Sequence, residues 1–158
     1  MTTPEQPVTP ATRALDAAGV PYRMVHYGRV ASAEEAAERR GVSLAALAKT
    51  LVVRVEEGSY VLVLVPGDRG LDYAKLRARL GVRRLTMPDP EEARAATGYE
   101  RGTITPVGAG GHPVILDQRL AALDEISLGS GVHGWAIHLA PGRLGDLGAS
   151  VADIARQE

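Results

Sequence analysis

Two lysines, Lys49 and Lys75, stand among 18 basic residues; all the others are arginine. In a chain that uses Arg so consistently, a Lys marks a position where a guanidinium will not serve. Lys49 lies in Ala48-Lys49-Thr50-Leu51, where a short helical segment runs into an apolar stretch. Burial at such a junction lowers the pKa of an amine, and the permanently charged, planar guanidinium cannot replace a compact, tunable cation. What such a position offers is a compact amine whose charge its surroundings can tune. The competing reading is a strand-end lysine whose stem lies on apolar surface and whose head stays in water. Lys75, read as an exposed helix residue, shows that Lys usage alone does not decide between them.

The second candidate is Gly102-Thr103-Ile104-Thr105-Pro106, inside a region that also carries Gly98, Gly108, Gly110 and Gly111. Glycines let a loop turn its main-chain N–H and C=O groups toward a ligand at close range; an ordinary surface loop is the alternative. Gly108 to Pro113 is not a dinucleotide fingerprint, because its sixth residue is Pro113 and a strand follows where a helix is required. The four histidines, His26, His112, His133 and His138, form no HxH or HExxH pair. His133 and His138 are five apart and fall on opposite faces of a continuous strand, so no zinc site is expected. His26 and His133 border apolar segments and are candidate ligand contacts or simply satisfied polar residues. Gly129-Ser130-Gly131 reads as a tight turn whose Ser can face a ligand. No GxSxG elbow supports a serine esterase. The densest basic run, Lys75 to Arg79 with Arg83-Arg84, suits either nucleic-acid phosphates or a solvated helix face.

The elements that must position these residues are punctuated clearly. Thr9-Pro10 starts a helix that Gly19 ends. Tyr22 to His26 reads as a strand. Ser32-Ala33-Glu34-Glu35 has capping-box spacing and starts a helix through Arg40, stopped by Gly41. Ser43 is placed to cap a second short helix ending near Ala48. Leu51 to Val55 and Tyr60 to Val65, joined by Glu57-Gly58, read as buried central strands of a hairpin because both faces are apolar. Tyr73 to Leu80 and a segment opened by Asp89-Pro90-Glu91-Glu92 read as helices. Pro113 to Leu116, Ile126 to Leu128 and Trp135 to Leu139 read as strands, and a last helix is expected between Arg143 and Ala155. Hairpins mixed with helices predict an α/β protein with a mixed sheet.

Bulk properties bound the function. The 158 residues fit one domain, 1–158, and 45% hydrophobic with 23% charged is ordinary for a globular chain. Without Phe, the core must be Leu, Val, Ile and Ala. A net charge of −1 excludes a uniformly basic nucleic-acid binder, so any RNA contact is local. Without Cys there is no disulfide framework, thiolate metal site or catalytic thiol, which fits the cytoplasm. Met1 to Pro7 lacks the pattern of a secretory signal, and no apolar run approaches the roughly 20 residues of a membrane span.

The order of these signals resembles the YbaK / prolyl-tRNA-synthetase-associated family of aminoacyl-tRNA deacylases. The match runs through Tyr22 to His26, Glu34-Glu35-Ala36-Ala37, Lys49-Thr50-Leu51-Val52-Val53, Val65-Pro66-Gly67-Asp68 and Leu76 to Leu85. It continues through Thr97-Gly98-Tyr99, the Gly-x-x-x-Pro loop of Gly102 to Pro106, Gly131 to Leu139 and Ala152 to Ala155. The resemblance implies a twisted mixed sheet, partly closed into a barrel and surrounded by helices. It implies hydrolysis, in trans, of the ester of mischarged tRNA such as Cys-tRNA(Pro) or Ala-tRNA(Pro). Lys49, Gly102, Thr103, Ile104, Thr105 and Pro106 take the catalytic positions; Tyr22, His26, Ser32, Gly129, Ser130 and His133 are the expected substrate contacts. No enzyme nucleophile, cofactor or metal is implied. The partners are the acceptor end of mischarged tRNA and prolyl-tRNA synthetase, with no membrane, for a monomer or weak dimer in the cytoplasm. The chain departs from some members that carry Ser at Gly129 and Asp at Ala136, and the His-Pro element of alanine-specific members is not found near His133. These departures, with the near-neutral charge, leave open a module of the same fold that binds tRNA or a synthetase without hydrolysis.

Overall fold

Helix boundaries follow the caps written in the sequence. The computed structural model describes residues 4–157; Met1 to Thr3, the start of the polar N-terminal segment, and Glu158 lie outside the described residues. Helix α1 (Pro10–Ala18) follows Thr9, and the Thr9 and Thr12 hydroxyls each accept the other residue's main-chain N–H. Helix α2 (Ala33–Arg40) follows Ser32 and ends at Gly41, whose φ of 76° is the left-handed value that glycine adopts without steric cost. Helices α3 (Tyr73–Leu80) and α4 (Pro90–Thr97) start at Asp72 and Asp89, whose carboxylates accept N–H groups in the first turn. Ser43 behaves differently from the expectation. It makes no side-chain cap bond and leads only into a 3-10 turn, Leu44–Ala46.

The described residues form seven strands in two sheets. Strands β1 (Arg23–His26), β6 (Trp135–Leu139) and β5 (Ile126–Gly129) form an antiparallel sheet in that order. The second sheet has the order β2 (Ala48–Glu56), β3 (Ser59–Pro66), β4 (Val114–Asp117), β7 (Ser150–Ala152). Its β2–β3 pair is antiparallel and the other pairs are parallel, so the sheet is mixed. A bridge between Leu47 and Ser127 joins the two sheets just before β2 begins.

The uninterrupted apolar run of β3 is explained by burial on both faces. Leu62 and Leu64 point into a core shared with Leu15, Leu116 and Ile137, while Val61, Val63 and Val65 pack with Leu71, Leu76 and Ile154. Strand β2 was expected to be central too, but it is the edge strand of its sheet. Its outer edge is free to border a cavity.

Three further expectations are corrected by the structure. Lys49 lies inside β2 and not ahead of it. The long C-terminal helix does not form: α6 covers only Gly142–Asp146, and Ser150–Ala152 becomes β7. Gly145 and Gly148 weaken helix propagation there, and the buried Asp117 carboxylate captures the chain end by accepting the Ile154 and Ala155 N–H groups at 3.0 Å. Lys75 is not a free surface residue; its ammonium meets Asp153 at 2.9 Å and the Ala155 carbonyl at 3.1 Å. A short helix, α5 (Gln118–Ala121), follows β4 where no element was predicted.

Candidate active site

The edge of β2 is clipped at both ends. At one end lies the Leu47–Ser127 bridge; at the other, Arg54 and Thr86 exchange main-chain hydrogen bonds of 2.7 and 3.0 Å. Between the clips the neighbouring elements separate and a cavity of about 590 Å³ opens, with Lys49, Thr50 and Val52 on its β2 side. Gly102, Ile104 and Gly129 line the facing side, and Met87, Pro88, Pro90 and Ala93 give it an apolar wall. That wall is held by Glu92 of α4, whose carboxylate accepts from Arg54 at 2.9 Å and from the Tyr60 hydroxyl at 2.6 Å.

Lys49 is half-buried and makes no ion pair among the described residues. Burial holds its ammonium below the ordinary lysine range, and the nearby Asp68 carboxylate partly opposes that shift. The result is a positive charge of limited hydration beside an apolar cavity.

The glycine-rich loop is built as a rigid shelf. The buried Tyr99 hydroxyl donates to the Val107 carbonyl at 2.6 Å, closing the loop across its base, and burial pushes that phenol up to about 12. The Thr103 hydroxyl donates to the Glu100 carbonyl at 2.8 Å, and the Gly131 N–H donates to the Thr103 carbonyl at 3.0 Å. Gly102 has φ of 87°, a conformation that L side chains rarely adopt. Gly129 lies so close beneath the shelf that a Cβ there would sit 2.5 Å from the Ile104 carbonyl oxygen.

The structure therefore brings Lys49, Gly102, Ile104 and Gly129 to one cavity. Thr103 and Thr105 of the same loop are buried, the Thr105 hydroxyl without a hydrogen-bond partner, and with Pro106 they support the shelf and do not line the cavity. His133 sits beside Gly102, exposed, with Nε2 3.7 Å from the Glu100 carboxylate. The other expected substrate contacts are engaged elsewhere. The Tyr22 hydroxyl donates to Asp16, His26 packs on Trp135 with ring centroids 4.9 Å apart, and Ser32 caps α2. The Ser130 hydroxyl is buried and donates within its own turn, 2.8 Å from the Trp135 carbonyl.

Sequence reasoning missed Arg40 and Arg101, both of which line the cavity. Arg101 precedes the first loop glycine and was open to notice; Arg40 carries no local signal, because its partners are distant in the chain. His138 was noted only for its spacing. It is fully buried, and burial together with Arg23 keeps its imidazole pKa low, against the opposing effect of Glu125. Among the described residues, no three His, Cys, Asp or Glu side chains gather in a metal-binding group.

Comparison with known proteins decides the family. The family model for the aminoacyl-tRNA editing domain matches residues 28–147, which include Lys49, the shelf and the cavity. The chain belongs to the aminoacyl-tRNA editing domain family. The editing-domain chain is 31% identical over 140 residues to EbsC of Enterococcus faecalis, named as a candidate Cys-tRNA(Pro)/Cys-tRNA(Cys) deacylase; the match covers 86% of this chain and 85% of that one. It is 34% identical over 106 residues, 67% of its length, to a proline–tRNA ligase of Thermosipho melanesiensis, of which it spans only 19%. A crystal structure described as a candidate trans-editing enzyme for prolyl-tRNA synthetase superposes with a TM-score of 0.84 at 30% identity, covering 95% of this chain and 99% of that one. The mixed α/β fold with its two sheets is thus the fold of this family.

Proposed function

We propose that the protein is a hydrolase that removes wrongly attached amino acids from tRNA, with Lys49 as its central charge. One observation carries the reading: Lys49 and the Gly102 to Pro106 shelf, fifty residues apart in the chain, meet across one cavity. The substrate ester is already activated. A water held at the shelf adds to the carbonyl carbon, and negative charge builds on the carbonyl oxygen. The Lys49 ammonium stabilises that oxyanion, more strongly because the site is poorly hydrated. Collapse of the intermediate breaks the bond to the ribose oxygen, which takes the proton released by the attacking water. The products are a free amino acid and uncharged tRNA, and no enzyme nucleophile is consumed.

The wall formed by Met87, Pro88, Pro90, Ala93 and Ile104 suits a small apolar or thiol side chain. Cys-tRNA(Pro) and Ala-tRNA(Pro) are the preferred substrate candidates, and the Enterococcus relative is named for the first of them. Prolyl-tRNA synthetase is the natural partner, because the similar solved structure is described as a candidate trans-editing enzyme for it. The reading places the protein in the cytoplasm; no helix among the described residues is long and apolar enough to cross a membrane. A panel of tRNAs charged with Cys, Ala, Ser and Pro tests the proposal. Enzyme-dependent release of at least one amino acid, small side chains first, is expected. Binding of charged tRNA without release from any of them would instead favour a non-catalytic binding module.

A further inference from the structure

Arg40, the last residue of α2, forms part of the cavity wall that also holds Lys49. Its guanidinium is fixed by groups from two other segments. It lies over the Tyr27 ring at 4.4 Å from the centroid, donates to the Tyr27 hydroxyl at 3.2 Å through one terminal nitrogen, and donates to the Ser127 hydroxyl at 3.3 Å through the other. Ser127 is fully buried in β5, two residues before the cavity-lining Gly129. Arg40 makes no ion pair among the described residues, and its Nε is buried without a hydrogen-bond partner. A guanidinium has five N–H donors. Two are used here and the Nε N–H is buried, so one N–H on each terminal nitrogen is left for a ligand at the edge of the cavity. Leaving charged donors unpaired is costly, and so is the side-chain entropy lost in holding a long Arg in one pose.

We infer that Arg40 is the residue that grips the phosphate of the substrate's terminal nucleotide, leaving Lys49 to serve the ester carbonyl. The inference rests on the proposed deacylase reading and deepens it. The division follows from the chemistry of the two cations. The phosphate is a permanent anion with oxygens spaced for a planar fork, which Arg supplies without further ordering. The oxyanion exists only transiently and at one atom, which suits a compact ammonium. The stacking on Tyr27 orients the fork, as a preorganised clamp requires.

The test uses the full chain and a mischarged tRNA that it hydrolyses. Arg40→Gln is expected to raise KM about tenfold while kcat changes less than threefold, and to lower the slope of log KM against log salt by about one, the loss of one phosphate contact. Arg40→Lys should recover part of the affinity. In the wild type, adenosine 5′-monophosphate should inhibit deacylation more strongly than adenosine, and Arg40→Gln should remove that difference. A purely structural role would lower kcat or thermal stability without moving the salt slope or the nucleotide preference, and that result overturns the inference. Equal inhibition of the wild type by adenosine 5′-monophosphate and adenosine overturns it as well. Failure of the wild type to hydrolyse any ester would instead remove the deacylase reading, and this inference with it.

Discussion

At the residue scale, the proposed reaction depends on how its environment sets the charge of Lys49. Burial lowers its pKa, so the ammonium loses its proton at a lower pH than the ordinary value of 10.5. The reaction needs the charged form. The enzyme-dependent rate, after subtraction of spontaneous ester hydrolysis, should therefore fall as pH rises through that lowered pKa, and the alkaline limb should be absent in Lys49→Ala. Stability moves the opposite way. The unfolded chain holds this proton more tightly, so folding gains as pH rises from the folded-state pKa to about 10.5. A rate–pH profile paired with thermal melts over the same range checks both signs. Gly129 gives a second residue-scale prediction. Gly129→Ser places a Cβ 2.5 Å from the Ile104 carbonyl, so the shelf must shift. Overpacking of this kind costs about 1–3 kcal/mol, and a 1 Å displacement near a reacting group costs on the order of 100-fold in rate. Kinetics and melting of that variant measure both effects. The sequence marked Gly129 as a departure from relatives that carry Ser there; the contact that makes Gly necessary in this chain is visible only in three dimensions.

The elements act by holding the two halves of the cavity at a fixed separation. Tyr99 closes the shelf through its bond to the Val107 carbonyl, and Glu92 ties α4 to β2 and β3. Tyr99→Phe removes one hydrogen bond and leaves a buried carbonyl unpaired, a loss of about 1–3 kcal/mol. The expected outcome is a lower melting temperature with a fall in kcat larger than any change in KM, measured on the best ester of the panel. Helix ends were the most legible elements. Thr9, Ser32 and Asp89 cap helices because a short polar side chain satisfies N–H groups that the helix leaves bare. The Gly145 and Gly148 region was misread as a long helix, because its fate depends on Asp117 and β4, which lie far away in sequence. Local pattern carries no information on such a partner.

On the scale of the whole molecule, the proposed active site is a gap left where two sheets part. The chain announced a mixed α/β fold through its hairpin, its strand-sized apolar runs and its capped helices. It did not announce that β2 is an edge strand, since burial against helices and loops gives an edge strand the same apolar composition as a central one. Nor did it announce Arg40, Met87 or Pro88, which reach the cavity through contacts made by other segments. Arg usage and glycine spacing made Lys49 and the Gly102 to Pro106 loop candidates, each beside an ordinary structural alternative, and only the resemblance to the deacylase family joined them. Their meeting across a 590 Å³ cavity is what the fold adds. The most direct measurement is the kcat of wild type and Lys49→Ala on the preferred mischarged tRNA, with melting curves for both. The account predicts a fall of about 100- to 1,000-fold in kcat with the fold intact, the range expected when one oxyanion-stabilising group is removed. A well-folded Lys49→Ala that keeps the wild-type rate would contradict it.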